Sequence, residues 1–233
     1  MLMTKLKEAV DQAQHIVFLT GAGVSTASGI PDFRSANGLY SEGDNPEYLL
    51  SRDCLANEPQ KFYDYVKNNL YYPKAQPNII HQKMAALVNR GQALIITQNI
   101  DGLDLKAGAD SRGVVEFHGN LYQVDCQKCG QTVPWQDYLE DMHHQDCGGI
   151  LRPDIVLYGE GIKQEVLEKS VLAVSHADLI VVVGTSLVVY PFAGLLEYRQ
   201  PKAKVIAVNK TRIAVPKGAE LVLGDAQDEF ARL

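Results

Sequence analysis

Apolar positions recur along the chain with two different periods. Leu6, Ala9, Val10 and Ala13 lie three and four apart within residues 4–14, the spacing of an amphipathic helix. The next run, HIVFLT at 15–20, reads as a short buried strand. Helical spacing returns in NIIHQKMAALVNRG (78–91), with Gly91 placed as a C-terminal stop, and ALIITQ (93–98) predicts a second buried strand. KQEVLEKSVLAVSHA (163–177) predicts a helix and DLIVVVG (178–184) a strand. PFAGLLEY starts a helix with Pro191 near its first turn, and KVIAVN (204–209) and ELVLG (220–224) predict two more strands. Runs so continuous in Val, Ile and Leu belong to strands covered on both faces. Their alternation with helices predicts a doubly wound α/β fold around a parallel sheet.

Two regions break the alternation. Residues 36–77 hold clustered Tyr, Asn and Pro with weak periodicity, and residues 119–155 hold a Cys/His cluster and the only tryptophan, Trp135. Both are expected to be insertions that form a second, smaller lobe. With 233 residues, 46% of them hydrophobic and 21% charged, the chain can bury a substantial core as one large domain or a domain with an insertion, and intrinsic disorder is excluded.

A net charge of -6 argues against a nucleic-acid backbone as partner, because phosphate binding draws on Lys and Arg, but leaves lysine-bearing partners open. No run approaches the ~20 apolar residues of a membrane span, and the N-terminal stretch MLMTKLKEAVDQAQ lacks an apolar signal core. A cytoplasmic protein is expected, with reduced thiols. Of the cysteines, Cys126, Cys129 and Cys147 fall within 22 positions, which favours metal binding, while the isolated Cys54 reads as buried packing.

Three stretches carry candidate chemistry. GAGVSTASGIPDFRS (21–35) follows a predicted strand directly, and a strand leading through a Gly-rich turn into a helix can cradle a phosphate. The dinucleotide fingerprint is incomplete: its third glycine is Thr26, and no acidic residue stands out about 20 positions on. A plain strand-to-helix turn therefore stays open. TQNIDGL packs Thr97, Gln98, Asn99 and Asp101 at the end of a buried strand, where unpaired polar groups would cost several kcal/mol. Asp101 could simply cap the turn at Gly102. EFHGN places His118 at the edge of the second insertion, where an imidazole facing the same cleft would be a natural general base.

Seven motifs, GAGVSTASGIPDFRS, TQNIDGL, FHG, CQKC, CGGILRPDIVLYGE, VVGTSLVVYP and AVN, occur here in the order seen in sirtuins, and the chain resembles that family from about residue 10 to residue 226. The resemblance implies an NAD-dependent protein lysine deacetylase that transfers acetyl from acetyl-lysine to ADP-ribose and releases nicotinamide. Protein ADP-ribosyl transfer by the same NAD cleavage, or an NAD-sensing module without catalysis, are the alternatives. It further implies a Rossmann-type NAD-binding domain (1–35, 78–118 and 156–233) and a small domain made of a helical module (36–77) and a zinc-binding module (119–155).

Carried over residue by residue, Gly21, Ala22, Ser25 and Arg34 would hold NAD phosphates and ribose, and Phe33 would cover the nicotinamide side. Ile30, Asn99 and Asp101 would line the nicotinamide pocket, with Gln98 on the adjoining ribose. Gly184, Thr185, Ser186, Asn209 and Asp225 would hold the adenosine half. Val156 and Tyr158 would line the acyl-lysine tunnel; His118 would act as general base, with Asn99 and Asp101 in the catalytic group. An acetylated protein or peptide is the implied partner, and a monomer is favoured.

The chain also departs from the family pattern. Typical members carry two Cys-x-x-Cys pairs; here the position three before Cys147 is His144, so the implied structural zinc set is Cys126, Cys129, His144 and Cys147, with His143 as the competing ligand. Asp104 stands where the family usually shows His, and Tyr158 where Phe is common. The Tyr-x-x-Arg pair of sirtuins that prefer succinyl- or malonyl-lysine is missing, so neutral acyl groups are expected.

Overall fold

The computed structural model describes residues 4–32 and 45–233. Among these, the strands are β1 (Ile16–Thr20), β2 (Ala93–Thr97), β3 (Val114–Glu116), β4 (Gly119–Cys126), β5 (Thr132–Val133), β6 (Leu151–Ile155), β7 (Leu179–Val183), β8 (Lys204–Asn209) and β9 (Glu220–Leu223). The helices are α1 (Lys5–Gln12), α2 (Pro46–Leu49), α3 (Arg52–Asn57), α4 (Pro59–Asn69), α5 (Ile79–Asn89), α6 (Leu103–Lys106), α7 (Trp135–Glu140), α8 (Gln164–His176) and α9 (Ala226–Phe230).

Six strands form a parallel sheet in the order β3-β2-β1-β7-β8-β9. Successive side chains of a strand point to opposite faces, and here both faces are buried. Ile16 and Phe18 join one apolar cluster with α1, α5 and α9, whereas Val17 and Leu19 join another with α8. This is the doubly wound α/β layering expected from the Val/Ile runs. The order reverses direction at β1, with β2 to one side and β7 to the other, and at such a switch point the strand-end loops diverge and leave a crevice.

The smaller lobe has its own core. The antiparallel sheet β5-β4-β6 and the helices α2, α3, α4 and α7 share one cluster that includes Leu49, Phe62, Val66, Leu121, Tyr138 and Leu157. Cys54 is fully buried in it, and burial pushes its thiol pKa up, as befits a packing residue.

Two local expectations are corrected. The glycine loop does not open into a helix but into two short 3₁₀ turns, Ala22–Val24 and Thr26–Ser28, ending on Gly29 in the left-handed region (φ 84°). The segment PFAGLLEY is likewise 3₁₀, over Phe192–Tyr198. The weakly periodic 36–77 region contains a regular helix, α4, whose buried Phe62, Tyr63 and Val66 face the small-lobe core.

Candidate functional site

At the carboxyl ends of the parallel strands, a cleft of about 920 Å³ opens between the two lobes. Of the residues singled out from the sequence, Gly21, Ala22, Gln98, Asn99, His118, Val156, Tyr158, Gly184, Thr185, Ser186, Asn209 and Asp225 line it. Neither Ser25, which is buried, nor Asp101, which is half-buried, lines it, and Ile30 is half-buried nearby, its N–H donating to the Ser25 carbonyl at 3.3 Å. Phe33 and Arg34 lie outside the described residues.

The glycines of the loop have a packing reason independent of any ligand. A Cβ on Gly21 would stand 2.7 Å from Thr185 Cβ, and one on Gly23 would stand 2.8 Å from Gly184 Cα. Gly184 itself holds φ 63° and would place a Cβ 2.5 Å from the Val24 nitrogen. The β1 and β7 end loops therefore touch backbone to backbone, which any larger residue would prevent. Asn78, the N-cap of α5, fixes the far side of the loop: its Nδ2 donates to the Val24 carbonyl at 2.8 Å and to Ser28 Oγ at 2.9 Å.

The polar end of β2 is a satisfied network. Asn99 Nδ2 donates to the Gly21 carbonyl (3.2 Å) and to Ser25 Oγ (3.1 Å). Ser25 Oγ donates to Asp101 Oδ2 at 2.6 Å, while Asp101 Oδ1 accepts from the Leu103 N–H at 2.9 Å. Asp101 thus closes the turn and, through Ser25, pins the glycine loop at once. Gln98 Nε2 donates to Thr185 Oγ1 at 2.8 Å, tying the ends of β2 and β7 across β1. Burial raises the Asp101 pKa, opposed by its bonds from Ser25 and Leu103.

His118 sits at the floor of the cleft, its ring edge-on to Phe117 and Phe117 edge-on to Phe192. Its Nδ1 lies 3.3 Å from the Gln98 carbonyl. A carbonyl only accepts, so Nδ1 carries the hydrogen and donates, which leaves Nε2 as the basic nitrogen. Burial lowers the imidazole pKa, partly offset by the Gln98 bond, so the ring is neutral near pH 7.

The wall opposite is the segment 155–160. Its Tyr158 N–H donates to the Leu50 carbonyl at 2.9 Å and its carbonyl accepts from the Arg52 N–H at 3.0 Å, which joins it to the helical part of the small lobe. On the β8 side, Asp225 caps α9 through the Gln227 N–H and pairs with Lys210 at 3.1 Å. Sequence reasoning missed Lys210, Thr211, Glu160 and Tyr190 on the cleft wall, and Asp32, within the glycine-loop motif, lines it too. Only the position of Lys210, directly after Asn209, offered a signal.

Asp104 is a buried acid beside this network, 5% exposed, and its Oδ1 has no hydrogen-bond partner among the described residues. Burial first, and then the like charges of Asp101 and Glu116, push its pKa up to about 8. The folded chain therefore keeps a proton that the unfolded chain releases near pH 4. Stability declines as pH rises from about 4 to about 8 and is level above that. Asp104→Asn, which cannot ionise, removes the decline. Its melting temperature should exceed wild type by about 5 °C or more at pH 8 and converge with it at pH 4–5; parallel curves across that window would refute the assignment.

In the small lobe, Cys126, Cys129, His144 and Cys147 present donor atoms that all lie within 4.8 Å of one another. Cys126 Sγ is 3.4 Å from Cys147 Sγ, and His144 Nδ1 is 3.3 Å from the Sγ atoms of both Cys129 and Cys147. Zn–S bonds of about 2.3 Å give tetrahedron edges of roughly 3.7 Å, so the four donors fit a zinc ion. His144 Nε2 lies 3.7 Å from Asp146, which orients the ring. His143 is not the ligand: its Nδ1 lies 3.0 Å from Asp141 Oδ1 on the exposed side. Gly149 is required because a Cβ there would stand 2.7 Å from Cys126 Sγ.

The Sir2 family model matches residues 21–191. A Listeria innocua protein named NAD-dependent protein deacetylase is 54% identical over 231 residues, spanning 99% of this chain and 100% of that relative. A Lactiplantibacillus plantarum protein of the same name is 55% identical over 228 residues, 98% of this chain and 97% of the relative. Among solved structures, Sir2 with a deacetylated p53 peptide and 3′-O-acetyl ADP ribose gives a TM-score of 0.90 at 32% identity, covering 100% of this chain and 97% of that one. Sir2 with p53 peptide and NAD+ gives 0.86 at 34% identity, with coverage of 100% and 97%. Continuous agreement of sequence, fold and site along the chain leads to one conclusion: the chain belongs to the Sir2 family.

Proposed function

We propose that the chain is an NAD-dependent protein lysine deacetylase that moves acetyl from acetyl-lysine to ADP-ribose and releases nicotinamide. The observation that supports it most is that the glycine loop, the polar end of β2, His118 and the segment 155–160 all meet on one cleft. Bound NAD supplies an electrophilic ribose carbon when its nicotinamide departs.

The chain's own residues do the rest. Gly21, Ala22 and Ser25, with Arg34, hold the phosphates and ribose. Gly184, Thr185, Ser186, Asn209 and Asp225 hold the adenosine half, and Gln98 the ribose next to nicotinamide. Asn99, Asp101 and Ile30 form the nicotinamide pocket and Phe33 shields it. The Asn99–Ser25–Asp101 network gives that pocket a fixed shape, which is what orientation of a reacting centre requires. Val156 and Tyr158 guide the acyl-lysine carbonyl inward and exclude water. His118 Nε2 takes the proton of a ribose hydroxyl.

Residues 1–35, 78–118 and 156–233 make the NAD-binding domain in this reading; 36–77 and 119–155 make the small domain. Zinc on Cys126, Cys129, His144 and Cys147 is structural, since four protein donors leave no open position. No helix of the described residues is long and apolar enough to cross a membrane. We take the protein to be a cytoplasmic monomer acting on acetylated proteins.

The acyl preference follows from α4. Tyr63 is followed three residues on by Val66 where the acid-preferring pattern has Arg, and no Arg occurs between Arg52 and Arg90, so α4 offers no guanidinium to an acidic acyl group. A generic acetyl-lysine peptide should be deacetylated only when NAD is present, and at least about tenfold faster than its succinyl counterpart is desuccinylated. Turnover without NAD would refute the function, and faster desuccinylation would refute the acyl assignment.

A further inference from the structure

The segment that carries Val156 and Tyr158 is folded around a single ion pair. Arg152, on β6, donates from Nη1 to Glu160 Oε1 at 2.8 Å and from Nη2 to Glu160 Oε2 at 2.6 Å. The same Nη2 donates to the Ile155 carbonyl at 2.9 Å, at the start of the segment. Glu160 Oε2 also accepts the Leu157 N–H at 3.0 Å, and the Glu160 N–H donates to the Leu157 carbonyl at 2.9 Å. Residues 155 and 160 thus bond the guanidinium directly and 157 is tied to it through Glu160, while the Tyr158 backbone meets Leu50 and Arg52.

The pair is partly shielded, with its side chains 22% and 21% exposed, and its bidentate geometry is of the kind that fixes direction as well as distance. Glu160 lines the main cleft; Arg152 does not, but lines a second cavity of about 390 Å³ on the other side of the segment. The guanidinium therefore holds the wall from behind and is out of contact with anything bound in the cleft.

Arg152 is also anchored from the zinc module. It pairs in register with Asp125 on β4, next to the Cys126–Leu151 pair, so β6 runs from the metal cluster to the cleft wall. Asp154, two residues on, is held by Lys163 at 2.8 Å ahead of α8.

Resting on the reading that Val156 and Tyr158 line the acyl-lysine tunnel, we propose that Arg152, through Glu160, is the positioning residue of that tunnel and sets the affinity for the acyl-lysine peptide. Lysine in its place offers one point charge where the guanidinium spans two carboxylate oxygens and a carbonyl, so it replaces the clamp only in part.

The test is steady-state kinetics of the full chain with an acetyl-lysine peptide and NAD. Arg152→Gln should raise the KM for peptide roughly tenfold, with kcat and the KM for NAD changed less than about twofold; Arg152→Lys should fall between it and wild type. If Arg152→Gln does not fold, Glu160→Gln, which keeps side-chain size and removes the charge, should show the same rise in peptide KM. A lowered melting temperature with unchanged peptide KM would overturn the proposal, as would an equal loss in all three kinetic parameters. An inactive wild-type protein would instead overturn the underlying functional reading.

Discussion

His118→Ala is expected to lower turnover by about 10²–10⁴-fold, the contribution of a well-placed general base, while the KM for NAD changes less than about threefold. Three features combine at this ring. It lines the cleft, its Nδ1–H is committed to the Gln98 carbonyl, and burial depresses its pKa. The imidazole is therefore neutral and carries its lone pair on Nε2 at the pH where the chain works. The residues assigned to the dinucleotide are anchored elsewhere, by Asn78 behind the glycine loop and by Gln98 across the strand ends. Losing the ring also opens space against Phe117, so His118→Asn, which refills part of it, should be equally inactive and melt closer to wild type. Wild-type kcat/KM should fall on the acid side with a midpoint below the ordinary imidazole value of 6.5. Turnover within tenfold of wild type in both variants would remove His118 from the mechanism.

Removing zinc is expected to have the second largest effect, and to act on the small lobe alone. The metal cluster closes β4 and β6 into a sheet too small to hold itself, since β5 has only two residues. Trp135 reports on this lobe: it is the chain's single tryptophan and packs on Tyr71 (5.9 Å) and Tyr122 (5.3 Å). Purified protein should contain about one zinc per chain. Chelation, or Cys147→Ala, should red-shift the Trp135 emission, lower the melting temperature by about 10 °C or more, and abolish most peptide turnover, because structural zinc contributes folding free energy directly. NAD affinity should change little. Zinc-free protein with an unaltered tryptophan spectrum and full activity would contradict a structural metal.

The sequence was most informative where one physical demand dominated. β1, β2, β7 and β8 were legible because strands buried on both faces need unbroken apolar runs, and Ile16–Leu19 and Leu179–Val183 supply them. α4 was not, because Tyr65 stands off the apolar spacing of Phe62, Val66 and Leu70, with a ring that is itself half-buried against the small-lobe core. The turn after β1 was expected to lead into a helix; it is 3₁₀ because Gly29 and the close approach to Gly184 end each turn early.

Among the site residues, spacing from Cys147 pointed to His144 over His143. The decisive fact, the bond from His143 to Asp141, is tertiary. The raised pKa of Asp104 was also hidden, since burial leads it and part of the remainder is the like charge of Glu116 from β3, a strand too short and too near the sheet edge to show a pattern.

The claim on which the rest depends is that acetyl leaves lysine for ADP-ribose inside this one cleft. Mass spectrometry of a reaction with acetyl-lysine peptide and NAD in ¹⁸O-labelled water tests it most directly. Deacetylated peptide, nicotinamide and O-acetyl-ADP-ribose should appear in equal amounts, with no labelled acetate formed in the initial phase. Labelled acetate as the first acetyl product, or nicotinamide release with the peptide still acetylated, would contradict it.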